Sequence, residues 1–372
     1  MVFPDKPVAH LLGSNAERRN SPGPVHAVTY SASPGNYILT GSADRSIRLY
    51  NPFPSTSVPE IRPSAKPAVP QGRLIQTYAA HGYEVTCLAV ASDNESFVSG
   101  GGDRAVFLWD VSRAVTTRRF GSGGGGSASG AHSARVNCVS FAGDGDSLVA
   151  SGGFDTTVRL WDVRNASGFR PVQVLDEAKD SVTSLVVRGA EIIAGSVDGR
   201  VRSYDVRMGR CTTDVMGASV VSLDVTRDGK AMLVGSLDSK LRLMDRDTGT
   251  CLRAYSDPLW RSEELRVQSL LGGREKYVVA GDEMTGDDAA TADGSGAGRI
   301  WAWDLLSGKV VAKVTVPWGP PGYEARKKTV GRDGKPKVRS NVISCMAWRE
   351  GGWGDQFCIG GTSGVVTVFG TL

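Results

Sequence analysis

The chain has 372 residues, enough for one large domain or two ordinary ones, and its 40% hydrophobic and 22% charged residues are usual for a folded protein. The net charge of +4 is too mild to signal nucleic-acid binding. Six cysteines without a CxxC pair and only four histidines argue against a zinc site, and no apolar run reaches the ~20 residues that span a bilayer.

The N-terminal stretch MVFPDKPVAHLLG lacks the basic region and long apolar core of a secretory leader. An intracellular chain with reduced thiols is therefore expected. Within that stretch, Val8-Ala9-His10-Leu11-Leu12 is apolar and precedes the first of a series of repeats. The repeats end in related phrases. TGSADRSIRLYN comes first, then SGGGDRAVFLWD, SGGFDTTVRLWD, AGSVDGRVRSYD and GSLDSKLRLMD, and the degenerate GRIWAWD and GTSGVVTVFG close the chain. Segments that break the pattern are Pro-rich at 51–72, Gly/Ser-rich at 121–131, acidic at 282–298 and basic at 317–340. They are read as insertions in a single domain covering 1–372.

The aromatic-equivalent positions are Tyr50, Trp109, Trp161, Tyr204, Met244, Trp303 and Phe369. The two shortest spacings, 43 and 40 residues, match one four-stranded propeller blade. A second alignment agrees. Apolar strands begin at Val25, Val85, Val136, Val182, Val220, Val267 and Ile343. Two residues after each start stands a small residue (Ala27, Cys87, Cys138, Ser184, Ser222, Ser269, Cys345), as the innermost strand of a blade requires beside a narrow channel. Both alignments predict an all-β, seven-bladed propeller, monomeric, with the cysteines as small core residues. The chain stops just after the third strand of blade seven, so Val8–Leu12 is expected to supply the fourth strand and stitch the ring shut.

His81, Ser99, Asp103 and Trp109, and likewise His132, Ser151, Asp155 and Trp161, stand at spacings that resemble the hydrogen-bonded tetrad of WD repeats. The resemblance implies a lock between loop and sheet, not a Ser-His-Asp triad. Asp44, Asp198 and Asp238 lack the histidine and are expected to bond turn amides. Gly121, Gly123 and Gly126 fit GxGxxG without a following helix, and no other catalytic signature appears. No enzyme, cofactor or metal is therefore expected.

Partner peptides of such propellers meet residues that flank the start of the inner strand or precede the turn aspartate. Here those are His26, Glu84, Thr86, Arg135, Asn137, Phe154, Ser181, Thr183, Val197, Leu237, Arg266 and Gln268. Phe154, Val197 and Leu237 are apolar where a turn prefers polar residues, and Arg135 joins them in a combination typical of binding hot spots. Two other readings stay open. Trp161-Asp162-Val163-Arg164 matches the WDxR box of cullin-type ubiquitin-ligase substrate receptors and Tyr204-Asp205-Val206-Arg207 is a near match in the next blade, giving Asp162, Arg164, Asp205 and Arg207 as adaptor contacts. The basic run Arg326, Lys327, Lys328, Arg332, Lys335, Lys337 and Arg339 offers a secondary RNA contact.

The phrases HGYEV, GGGDRAVFLWDV, PVQVLDEAKDSVTSL, IIAGSVDGRVRSYDVRMG and GSLDSKLRLMDRDTG, across roughly residues 23–255, resemble the mitogen-activated protein kinase organizer family. The resemblance implies a scaffold for kinase-cascade components, found also with the spliceosome, in cytoplasm and nucleus, with protein partners and no membrane association.

Overall fold

A computed structural model describes residues 3–12, 23–53, 69–121, 130–165, 169–284, 296–320, 329–330, 336–337, 340–349 and 355–371. Each repeat forms a four-stranded antiparallel sheet. Blade one comprises Val25–Tyr30, Ile38–Ser42, Ile47–Asn51 and Arg73–Tyr78; blade two comprises Val85–Val90, Ser96–Gly101, Val106–Asp110 and Val115–Phe120. Blades three to six start at Val136, Val182, Val220 and Ser269, and blade seven at Ile343. The described residues hold seven such sheets, one short 3-10 turn at Asp144–Asp146 and no helix long and apolar enough to cross a membrane.

Burial explains the residue choice along each blade. The second and third strands, such as SFVSGG and VFLWD, are covered on both faces and read as continuous apolar or small runs. The outer strands RLIQTY and VTTRRF bury only alternate residues and keep the period of two. The hydrophobic clusters lie between blades rather than within them. Leu39, Ile47 and Tyr78 of blade one, for example, pack on Val85, Phe97 and Trp109 of blade two.

Part of the glycine excess has its cause here. A Cβ on Gly100 would stand 2.7 Å from Cγ1 of Val136, the first residue of the next inner strand. The same approach recurs at Gly41 with Val85, Gly152 with Val182, Gly195 with Val220 and Gly360 with Val25. Only glycine lets adjacent blades close to this distance.

The ring closes through the N-terminal strand. Pro7–Leu11 pairs antiparallel with Val366–Gly370, with His10 opposite Thr367 and Leu11 opposite Val366. Its other edge is also covered. His10 donates its amide to Pro70 O at 2.9 Å, and Gly72 donates to His10 O at 2.9 Å. The strand is therefore held between blade seven and the approach to blade one's outer strand.

The structure corrects the insertion boundaries. Residues 69–72 belong to the closure, so of the Pro-rich segment 54–68 lies outside the described residues, as does 122–129 of the Gly/Ser-rich segment. Asp282, Glu283, Met284 and Ala297 flank the strands of blade six and are buried rather than solvated. The acidic stretch 285–295 lies outside the described residues, as does most of the basic run; Thr329–Val330 pairs with Pro336–Lys337 as a short ribbon.

Candidate functional site

The seven inner strands surround a channel, and its mouth opens into a cavity of about 320 Å³. Residues around the start of each inner strand reach the neighbouring blade and form a ring of contacts. His26 Nε2 lies 3.6 Å from Glu84 Oε2. Thr86 donates to Val136 O, Asn137 Nδ2 to Val182 O at 2.8 Å, and Thr183 Oγ1 to Val220 O at 2.7 Å. Ser222 and Ser269 share a bond of 2.6 Å, Gln268 Oε1 accepts from Met346 N at 2.9 Å, and Ser344 donates to Val25 O at 3.1 Å. Every blade junction thus carries one clasp. His26, Glu84, Thr86, Asn137, Thr183 and Gln268 serve the ring, and Ser181 is buried with its carbonyl bound to Val197 N.

The remaining partner candidates face outward. Arg135 and Arg266 are exposed at the cavity rim. The Arg135 guanidinium lies 5.3 Å from the centre of the Phe154 ring, and Phe154 is 53% exposed. Phe154, Val197 and Leu237 are set by one repeated bond, in which the turn amide donates to the loop before the inner strand: Phe154 N to Arg135 O, Val197 N to Ser181 O, Leu237 N to Ser219 O. Val197 and Leu237 are half-buried. Arg266 crosses from blade six to donate to Asn137 O of blade three at 3.1 Å. Tyr83, 65% exposed in the loop before blade two, joins this face but escaped the sequence reading. Its signal was a large aromatic inside the turn HGYEV.

The two tetrads are assembled as hydrogen-bonded locks. In blade three, Asp155 lies 2.9 Å from His132 Nδ1, His132 Nε2 is 2.8 Å from Ser151 Oγ, and Trp161 Nε1 donates to that oxygen at 2.8 Å. In blade two, His81 bonds Asp103 and Ser99, and Trp109 donates to Ser99 Oγ at 2.8 Å. Both serines are fully buried, so no substrate reaches either hydroxyl. The expectation for Asp44, Asp198 and Asp238 needs correction. Turn amides do reach Asp44 and Asp198, but the stand-in for histidine is an arginine four residues on: Arg48, Arg202 and Arg242. Arg202 and Arg242 also donate to Ser196 and Ser236, which stand two residues before their aspartates, while Ala194 and Val234 occupy the position of the tetrad serine.

On the opposite face, Asp162 accepts the amides of Arg164 and Asn165, and Asp205 accepts those of Arg207 and Met208. Asp245 and Asp304 cap the corresponding turns in the same way. The acidic half of the WDxR box is therefore a turn cap common to several blades, while Arg164 and Arg207 are exposed.

Burial lowers the pKa of His10 and His81, in His81 against the opposing hydrogen bond of Asp103. Burial also works against ionisation of Asp155, Asp198 and Asp238. Their histidine, arginine, hydroxyl and, at Asp155 and Asp198, amide donors outweigh it, holding Asp198 at about 2 and the others below the ordinary 3.8. The histidine contribution to stability is complete above the unfolded value of 6.5 and declines as pH falls below it. The aspartate contribution is complete above 3.8 and is lost as pH falls through the folded values. Melting temperature should therefore hold steady from about pH 8 to about pH 7 and then fall in two stages. A melting temperature that stays flat on acidification through both ranges would contradict this assignment.

Among the described residues, no three His, Cys, Asp or Glu are placed to hold a metal ion. The family model described as WD domain, G-beta repeat matches residues 17–51, 72–110 and 128–162, the first three blades. WD repeat domain-containing protein 83 of Homo sapiens is 37% identical over 297 residues, covering 80% of each chain. The protein of that name in Rattus norvegicus is 36% identical over 294 residues, 79% of each. The Dictyostelium discoideum homolog is 28% identical over 332 residues, 82% of this chain and 89% of its own. These matches correct the resemblance drawn from sequence phrases: the family name they carry is not the kinase organizer. The phrases that suggested it consist largely of inner, second and third strands and their turns, where every blade draws on similar residues. Relatives above one-third identity across four-fifths of their length place the chain in the family of WD repeat domain-containing protein 83.

Proposed function

We propose that the chain is a non-catalytic scaffold that gathers proteins into larger complexes through the face around the channel mouth. The observation that carries this reading is the pair of exposed aromatics, Phe154 with Arg135 over its ring and Tyr83 on the same face, beside a cavity whose other polar side chains, Ser184 excepted, are engaged in the blade ring. Exposed aromatic and arginine anchors around a concave centre are what protein interfaces use, and a monomer gains nothing by leaving them in water. The complex served is either a protein-kinase cascade module or a pre-mRNA splicing complex, with the protein resident in cytoplasm and nucleus.

The test is affinity purification of the tagged chain from its own cells, with and without RNase, alongside a Tyr83→Ala, Phe154→Ala variant. The expected result is an RNase-resistant set of protein partners whose recovery drops at least about tenfold in the variant, as loss of hot-spot residues implies. The identity of the partners then chooses between kinase components and splicing factors. Full recovery by the variant, with loss instead on Arg164→Glu, Arg207→Glu, would move docking to the opposite face and favour the ubiquitin-ligase reading.

A further inference from the structure

The mouth carries a charge imbalance that the blade ring does not resolve. Arg135 rests on the Phe154 ring, and Arg266 reaches across to a backbone carbonyl of blade three. Among the described residues neither guanidinium has a carboxylate within ion-pair distance, whereas Arg48, Arg202 and Arg242 each have one four residues away. The one carboxylate lining the cavity, Glu84, faces His26. Both arginines act electrostatically on that histidine, so their fields overlap at the mouth.

A guanidinium that bonds only a neutral carbonyl keeps most of its planar donor fork available, and that fork matches a carboxylate. The low-dielectric walls of a concave site strengthen such a pairing relative to open surface. Apart from the neutral Ser184 hydroxyl, the hydroxyls and amides below are committed to blade-to-blade bonds, so the rim is where a ligand's charge is met.

We infer that the partner segment is an acidic linear peptide, one aspartate or glutamate of which seats between Arg135 and Arg266 while an adjoining apolar residue packs on Phe154. This rests on the docking face proposed above and specifies what that face reads.

The experiment pans a random-peptide phage library against the folded full-length chain, then measures the enriched peptides by fluorescence polarisation. Enriched sequences should share an acidic residue beside an apolar one. Replacing that residue by its amide, or Arg135→Gln or Arg266→Gln in the protein, should each weaken binding about tenfold, and the combined changes less than additively. Arg113→Gln, on a turn of the opposite face, should leave affinity unchanged. Thermal melts of each variant separate lost binding from lost folding. Enrichment of neutral or basic peptides, a pool without acidic preference, or affinity indifferent to both arginine variants overturns the inference. If native partners depend on Tyr83 and Phe154 but not on the arginines, the docking face stands and only the acidic specificity falls.

Discussion

Removing residues 1–12 should lower the melting temperature by roughly 10 °C or more and leave the protein prone to self-association. Phe3, Val8, Leu11 and Leu12 are all buried, and burying each contributes about 2 kcal/mol. Together they supply on the order of 8 kcal/mol, an upper value because the unfolded chain is itself partly collapsed, and each kcal/mol moves the midpoint of a large domain by about 2 °C. The loss also has a structural side. Without Pro7–Leu11 the strand Val366–Gly370 presents an unpaired, apolar edge, and the bonds from His10 to Pro70 and Gly72 disappear with it. An open edge of that kind recruits another chain. Scanning calorimetry of the truncated and full chains, with light scattering on the same samples, checks both parts. An unchanged melting curve would mean that the ring holds without its closure strand.

The sequence revealed what the blade repeats. Seven inner strands, seven aromatic-equivalent positions and an orphan apolar segment at the N-terminus were enough to reach the seven-bladed ring and its closure, because each blade meets the same packing constraint. It was less informative where one residue replaces another's chemistry. Arg202 and Arg242 reach both the aspartate and the serine of their turns, a role assigned by pattern only to histidine, although the D-x-x-x-R spacing was present in DGRVR and DSKLR. The partner candidates read from the repeat gather around the channel mouth, but the blade clasps among them could not be foreseen. Whether Thr86 or Asn137 faces a partner or the next blade's carbonyl depends on how far the neighbouring sheet is rotated, and a linear sequence does not contain that angle. Glu283 was hidden differently, inside an acidic stretch whose composition reads as solvated loop.

Glu283→Ala should be the most damaging single substitution near the mouth, costing roughly 3 kcal/mol or more through stranded backbone donors. The Glu283 carboxylate is buried, and its Oε1 accepts the amides of Glu263 at 2.7 Å, Glu264 at 2.9 Å and Leu265 at 2.7 Å. Burial pushes its pKa up against these three donors. The flanking residues hold the same loop: Trp260 Nε1 donates to Gly281 O at 2.7 Å, and Asp282 accepts from Trp301 Nε1 at 2.9 Å. The tripeptide Gly281-Asp282-Glu283 therefore replaces the histidine lock that this blade lacks. Truncation to alanine leaves three amides without their acceptor, whereas Glu283→Gln keeps one carbonyl oxygen in place and should cost less. Denaturant titration should show a lower midpoint at unchanged slope, and hydrogen exchange should accelerate at 263–265 ahead of the blade strands. Arg266 follows directly on this loop, so the same variant should also weaken partner binding at temperatures where the propeller remains folded. An alanine variant with native exchange at these amides would show that the loop is held by Trp260 alone.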